Sequence, residues 1–306
     1  MKTLLKYLAA GCVAVAAVSI FAMPTQAALL MEDSFDYTLG QSIVGQNGGT
    51  GWAGNAWTQR STIGPASGTI INGLTLGALV VDGNAVQLTQ TGRNEASGQG
   101  VTIYDREIGT APSTAGTAST LWTSFLYQLN TDQSSQTHQF KDHDDNELFH
   151  QMESDSNTKF GVHNTNQDTA ASPLATDTTY LFVSRYTNVN SGSTNAQGTL
   201  WVLTASQFDD LAAGGISDAE MDALTASDYT FKLTAPQNGA NQDLDFVVGE
   251  DVGMLISVIG GANTTQYTFD ELRFATTAEA ALPIPEPASL ALLGLGVLLM
   301  LPRRRA

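Results

Sequence analysis

The stretch LWTSFLYQL, residues 121–129, indicates the fold most directly. Along a β-strand, successive side chains point to opposite faces of the sheet. Phe125 and Tyr127 would therefore share one face, and Trp122 and Leu126 would share the other. Apolar residues on both faces are typical of a central strand that is covered on both sides.

Further short runs of β-favouring residues recur along the chain, separated by clusters of Gly, Asn, Ser, Thr and Asp. They occupy 85–89, 100–108, 159–164, 179–187, 199–204, 229–234, 252–259 and 266–274. The main helical signal lies at 205–225, where Ser217 and Glu220 form a capping box. Many strands and few helices predict an all-β sandwich, with the helical segment as an insertion between strands.

The two ends of the chain are richer in basic residues than the body between them. Five of the 13 basic residues, but one of the 30 acidic residues, fall within 1–27 and 285–306. The body between them keeps 8 basic and 29 acidic residues, a net charge of −21. Such a surface repels nucleic acid and favours divalent cations and neutral or cationic partners. The one cysteine, Cys12, lies outside the body, so the body has no disulfide.

The N-terminus has the organisation of a signal peptide. Lys2 and Lys6 precede an apolar run at 8–23, and small residues lead up to Ala27. We expect signal peptidase to cleave after Ala27. The alternative is a lipoprotein box, LAAGC, in which Cys12 would become the lipidated first residue.

The C-terminus combines a twin-proline tripeptide, a short apolar run and a basic end. The tripeptide is Pro285-Glu286-Pro287, and the basic residues are Arg303, Arg304 and Arg305. The run at 288–301 carries no charge but is shorter than the roughly 20 residues that span a bilayer. Terminal arginines tend to hold such an end in the cytoplasm.

These features resemble the PEP-CTERM sorting signal of Gram-negative bacterial surface proteins, with Ile284 where the family more often has Val. The resemblance implies processing by exosortase and delivery to the outer cell surface or the extracellular matrix. Residues 285–306 would form a hydrophobic helix that anchors the protein transiently in the inner membrane, and 279–284 would be a linker. An ordinary C-terminal membrane anchor is the alternative.

Two strips of the body carry a second resemblance. Phe35-Asp36-Tyr37 leads to the glycine-rich NGGTGWAG at 47–54, and YTFDELRF occupies 267–274. Both are similar to exported PEP-CTERM proteins with a concanavalin A-like, or laminin-G-like, jelly roll. The resemblance implies a jelly-roll β-sandwich over 28–278, in which the last strand returns beside the first.

Trp52 and Trp57 are candidate glycan-binding residues. An exposed Trp can stack on the apolar face of a sugar ring, and a glycine-rich loop can present it. The alternative is that both side chains are buried anchors that pin the loop to the sheet.

An acidic stretch offers a candidate Ca²⁺ site. Asp142, Asp144, Asn146 and Glu153 match the oxygen-ligand spacing of a calcium-binding loop. The sixth position is Glu147, where that loop needs Gly, so a solvated acidic turn is the alternative.

The flanks of this acidic stretch, 137–141 and 148–152, are typical of the strands of a hairpin, across which His138 and His150 could meet. A zinc site is less favoured, because the histidine spacings lack the pattern that places ligands on one helix.

The sequence contains no recognised catalytic motif. It lacks the Glu-x-Asp-x-x-Glu string of jelly-roll glycosidases, a Gly-x-Ser-x-Gly elbow and a His-Glu-x-x-His site. The acidic pairs Asp243/Asp245, Glu250/Asp251 and Asp270/Glu271 are interpreted as surface or turn residues. Residue types that polysaccharide lyases use are present without a pattern, at Tyr127, His150, Arg185 and Tyr186.

We therefore expect a non-catalytic, exported module that binds glycan or exopolysaccharide. A structural matrix or adhesion protein without a sugar site is the first alternative. A secreted polysaccharide-cleaving enzyme is the second.

Overall fold

The computed structural model describes residues 28–79, 81–91, 99–131, 136–142, 150–153, 157–161, 167–171, 174–192, 195–235, 244–259 and 264–282. The predicted signal peptide up to Ala27 and the sorting residues Pro285, Glu286, Pro287, Arg303, Arg304 and Arg305 lie outside these ranges. No helix within these ranges is both long and apolar enough to cross a bilayer.

Two antiparallel sheets form the body. The eight-stranded sheet has the order β13-β12-β11-β6-β15-β4-β3, with β1 beside β15. Its strands are β1 (Leu29–Asp33), β3 (Ala66–Asn72), β4 (Asn84–Thr91), β6 (Ser119–Leu129), β11 (Thr179–Val189), β12 (Gln197–Leu203), β13 (Phe231–Ala235) and β15 (Thr264–Ala275).

The seven-stranded sheet has the order β10-β9-β8-β7-β14-β5-β2. Its strands are β2 (Thr58–Ile63), β5 (Gln99–Glu107), β7 (Gln136–Asp142), β8 (His150–Glu153), β9 (Asn157–Gly161), β10 (Gln167–Ala171) and β14 (Asp251–Ile259). The three described helices are α1 (Ala205–Gly214), α2 (Asp218–Ala223) and α3 (Ala278–Ala281).

The prediction of a mostly β sandwich with a short helical insertion is confirmed. All nine predicted strands are present, and α1 and α2 lie between β12 and β13. The hairpin expected around the acidic stretch is also present, because β7 pairs with β8. Three strands that the sequence did not indicate, β2, β3 and β10, lie at sheet edges.

The strand β6 is central, as its sequence predicts. It pairs with β11 on one side and β15 on the other. Phe125 and Tyr127 belong to the first core cluster, which lies between the sheets. Trp122 and Leu126 belong to a second cluster on the outer face of the eight-stranded sheet. The eight-stranded sheet therefore has apolar side chains buried on both of its faces.

The helices cover the second core. Phe208 and Leu211 of α1 and Met221 of α2 are buried there, and burying each such side chain stabilises the fold by about 1.5–3 kcal/mol. Ser217 is the N-cap of α2, as predicted, since its hydroxyl accepts from the Glu220 N–H at 3.2 Å. The reciprocal pair of bonds that defines a capping box is present instead at the start of α1, between Thr204 and Gln207. The insertion thus serves as the outer layer of the eight-stranded sheet.

The two ends of the body lie side by side. β1 pairs with the second half of β15, as expected of the terminal strand, and the Thr276 N–H donates to the Ala28 carbonyl at 3.0 Å. The body extends beyond the expected boundary at 278, because Ala281 and Leu282 are fully buried in the second core. The first part of the expected linker is thus helix and core.

Candidate functional site

The glycine-rich strip is held down by its tryptophans. Trp57 is fully buried, and its indole N–H donates to Asp33 Oδ2 at 2.8 Å. Trp52 is half-buried, donates to the Glu32 carbonyl at 2.9 Å and meets Phe274 edge-on at 6.1 Å. The expectation that Trp57 stacks on a sugar is wrong, because no face of its ring reaches solvent. Both residues fit the alternative role of anchors.

A buried ion pair holds the glycine-rich strip, residues 47–54, in place. Arg106 Nη1 lies 2.9 Å from Asp33 Oδ2, and its guanidinium lies 4.9 Å from the centre of the Trp52 ring. The same guanidinium donates to the Gly48 carbonyl at 2.8 Å and to Asn47 Oδ1 at 2.6 Å. Arg106 therefore contacts both the backbone of the strip and its aromatic anchor.

Asp33 is the acceptor on which this network converges. Its carboxylate also accepts from the Phe35 N–H at 2.8 Å and the Tyr37 hydroxyl at 2.7 Å. Burial, together with the adjacent carboxylate, raises the pKa of Tyr37 well above its usual value, so that hydroxyl stays a donor. Phe35 and Tyr37 therefore have a structural role, because both donate to the buried Asp33 carboxylate.

The outer face of the seven-stranded sheet is the candidate binding surface. On β5 and β14, Tyr104 and Met254 point into the first core. Residues that alternate with them lie on the opposite face and are nonetheless buried: Ile103, Asp105, Leu255 and Ser257. Ile103 and Leu255 belong to neither core cluster. The buried residues of α1, α2 and α3 all belong to the second core, on the other sheet.

A charged pair marks one end of this outer face. Arg60 Nε on the edge strand β2 lies 2.9 Å from Asp105 Oδ2 on β5, and the Arg60 side chain is 30% exposed whereas that of Asp105 is 3% exposed. Thr58 Oγ1 donates to the other carboxylate oxygen at 2.5 Å. The carboxylate therefore fixes an arginine that remains partly in contact with solvent.

The strand register continues the same rows across the sheet. Gly253, which pairs with Asp105, also pairs with Lys141 on β7. Leu255 pairs with Gln139, which pairs with Gln151, and Gln151 pairs with Lys159. These positions form a second row over four strands, and most of the residues in it are polar.

The interpretation of Asp270 and Glu271 as surface or turn residues is wrong. Both are buried at a β-bulge in β15, and Glu271 adopts a left-handed φ of 50°. The Leu74 N–H donates to Asp270 at 2.7 Å, and the Asp82 N–H donates to Glu271 at 2.7 Å. Burial raises the pKa of Asp270 to about 8 and that of Glu271 above its usual range. The two acids hold the ends of one loop.

The residue types shared with polysaccharide lyases do not converge. Tyr127 and Tyr186 are fully buried in the first core. Arg185 lies on the other side of the same sheet, stacked over Trp122 and paired with Asp222 at 2.7 Å. His150 belongs to β8 in the other sheet. The described side chains thus form no lyase-like cluster.

Two of the four candidate Ca²⁺ ligands lie outside the described residues. Asp142 ends β7 and Glu153 ends β8, whereas Asp144 and Asn146 are not described. Over the described ranges, no three His, Cys, Asp or Glu residues come close enough to hold a metal ion. His138 pairs with Met152 and His150 pairs with Phe140, so the register sets the two histidines two positions apart.

Comparisons with known proteins identify a sorting motif at the C-terminus. A family profile described as the PEP-CTERM protein-sorting motif matches residues 283–305. No curated protein matches the chain.

Solved structures that match the chain include an endo-β-1,4-glucuronan lyase from the fungus Trichoderma reesei, with a TM-score of 0.44 and 10% identity over 80% of this chain and 99% of that one. Others are the alginate lyase from Aplysia kurodai (0.37, 8%, 66% and 86%) and the cellulose induced protein Cip1 (0.38, 10%, 72% and 91%). At these scores the likenesses carry no information about activity.

The sorting motif indicates an exported protein and implies processing by exosortase. The chain is therefore an exported protein, sorted to the cell surface by a C-terminal PEP-CTERM motif, with a β-sandwich body.

Proposed function

We propose that the protein is a non-catalytic glycan-binding module and that the glycan lies across the outer face of the seven-stranded sheet. The observation that carries the proposal is the Arg60–Asp105 pair, in which a buried carboxylate holds a guanidinium that is 30% exposed on this face. The other sheet offers no comparable face among the described residues, because apolar clusters bury both of its sides.

The chemistry of this face suits a carbohydrate. Ligand sites fix the orientation of the ligand with a small number of polar groups held in set positions. A guanidinium presents planar donors whose orientation the Asp105 carboxylate maintains, and such donors match sugar hydroxyls or carboxylates. The backbone register continues this sheet through Gln139 on β7 and Gln151 on β8, beyond the strands that carry the Arg60–Asp105 pair.

A non-catalytic role is supported by where the candidate acid–base residues lie. Tyr127 and Tyr186 are buried, and Arg185 is engaged with Asp222 on the other sheet. A structural matrix role without a sugar site and a secreted polysaccharide-cleaving enzyme remain the competing proposals. Release of reducing ends or unsaturated sugars from an envelope polysaccharide would favour the enzyme.

We further propose that the sandwich is a concanavalin A-like jelly roll. The proposed site of action is the outer surface or matrix of a Gram-negative bacterium, after transient anchoring in the inner membrane. The pairing of β1 with β15 supports the topology, and the profile match supports the route of export.

A glycan array with neutral and uronic-acid polysaccharides tests the binding proposal. We expect selective binding by the body and at least a tenfold loss of affinity in Arg60→Ala. Arg185→Ala is the matched control, since Arg185 pairs with an acid on the other sheet, and it should bind normally. Binding by neither the native body nor the control would favour the structural role, and equal binding by all three would exclude this face.

A further inference from the structure

The last described residues are part of the folded core. Ala278, Ala281 and Leu282 are fully buried in the second core, beneath the outer layer of the sandwich. We call residues 278–282 the docked segment. Its four-residue helix, α3, is too short to be stable alone, so contacts with the body hold it in place.

Two hydrogen bonds fix the docked segment at its ends. The Ala278 N–H donates to Asp218 Oδ1 of α2 at 2.8 Å, and the hydroxyl of the buried Ser124 on β6 donates to the Ala281 carbonyl at 2.5 Å. The Leu282 N–H then closes the helix by donating to the Ala278 carbonyl at 3.0 Å. The body therefore contacts the chain up to Leu282, the last described residue.

The sorting motif begins immediately after the docked segment. The profile match starts at 283, and two residues, Pro283 and Ile284, separate Leu282 from the tripeptide that starts at Pro285. Two extended residues span at most about 7 Å. A protease that cleaves at the tripeptide must reach the chain on both sides of the cleaved bond, and the second core begins two residues before the tripeptide. The residues preceding Pro283 are sequestered in that core.

We propose that the docked segment controls access to the sorting motif, so that processing requires local detachment of residues 278–282 while the rest of the sandwich stays folded. Local opening of terminal elements costs less free energy than global unfolding. When opening and closing are fast, proteolysis follows the population of the open form. The docking contacts would then set the rate at which exosortase processes the protein.

The test is performed on the full chain in cells that contain exosortase, with processing followed by the C-terminal mass after a pulse of synthesis. A flexible Gly-Ser spacer of eight residues, inserted between Leu282 and Pro283, should accelerate processing at least fivefold, because it frees the motif without undocking. In the chain without the spacer, Leu282→Ala should accelerate processing by a similar factor.

The decisive comparison combines the two changes. If docking limits access, Leu282→Ala adds nothing once the spacer is present. Leu88→Ala is the control, because Leu88 is fully buried in the first core, away from the docked segment, and it should leave the rate unchanged. The proposal is overturned by a spacer that leaves the rate unchanged, or by acceleration in Leu88→Ala equal to that in Leu282→Ala.

Discussion

Asp33 and Arg106 form an ion pair that joins the two sheets, with 2.9 Å between Oδ2 and Nη1 and at most 2% of either side chain exposed. Asp33 ends β1 in the eight-stranded sheet, and Arg106 lies on β5 in the seven-stranded sheet. Each charge has further hydrogen-bond partners, which offset the cost of removing both charges from water.

Removing one partner of this pair should be strongly destabilising. Arg106→Ala leaves the Asp33 carboxylate buried without its countercharge, and breaking such a pair costs about 3–5 kcal/mol. Urea unfolding of the body measures the loss. The matched control is Arg185→Ala, whose pair with the half-exposed Asp222 should contribute about 1 kcal/mol or less. Equal losses in both variants would contradict a special role for the buried pair.

The Trp57 indole N–H should make its own contribution. Trp57→Phe keeps an aromatic ring in the core but removes a donor to the charged Asp33, a bond type that contributes about 1.5–3 kcal/mol. Trp57→Ala, which also leaves a cavity, should lose about 3–5 kcal/mol. Thermal unfolding separates the two variants. A Trp57→Phe protein as stable as the native body would show that the hydrogen bond contributes nothing.

The buried Asp270 should make stability depend on pH. Its pKa of about 8 in the folded protein exceeds the ordinary value of about 3.9 expected after unfolding. Between these values the folded protein holds a proton that the unfolded chain has released, so stability falls as pH rises from about 4 to 8. The slope is at most about 1.4 kcal/mol per pH unit for one group.

Other charged residues near Asp270 also affect how stability depends on pH. Glu271, Asp33 and Asp82 add negative charge around the site, and Arg273 adds a positive charge beside Glu271. Asp270→Asn should reduce the slope measured by unfolding at a series of pH values and should raise stability at pH 8. An unchanged slope would assign the pH dependence to Glu271 or to other carboxyls.

The interior strands could be predicted from the sequence because their side chains carry the signal. β6 is apolar on both faces, and it lies where that pattern places it, in the middle of a sheet. The edge strands β2 and β10, TQRSTI and QDTAA, are largely polar because edge strands bury little. They are strands by virtue of pairing with β5 and β9, which no local pattern encodes.

The site was harder to predict, because its contacts join residues that are distant in the chain. Asp33 and Arg106 are 73 positions apart, and Arg60, which lies in no predicted strand, pairs with Asp105 of the predicted strand at 100–108. Acids are seldom buried, so Asp270 and Glu271 were expected at the surface. The glycines of the strip at 47–54 are a better guide to its packing than the acidic residues are to theirs. A Cβ at Gly49 or Gly51 would overlap the carbonyl oxygens of Glu32 and Leu30, so their presence indicates close packing of the strip on β1.

The N-cap of α2 couples the helical insertion to the docked segment. The Ser217 hydroxyl accepts from the Glu220 N–H at 3.2 Å and donates to the Glu220 carboxylate at 2.6 Å. Losing an N-cap costs about 1 kcal/mol. Because Asp218, the next residue, accepts the Ala278 N–H, Ser217→Ala should increase hydrogen exchange at Glu220 and also at Ala278. Thr225→Ala, outside the helix, is the control. Exchange that rises at Glu220 alone would show that α2 and the docked segment open independently.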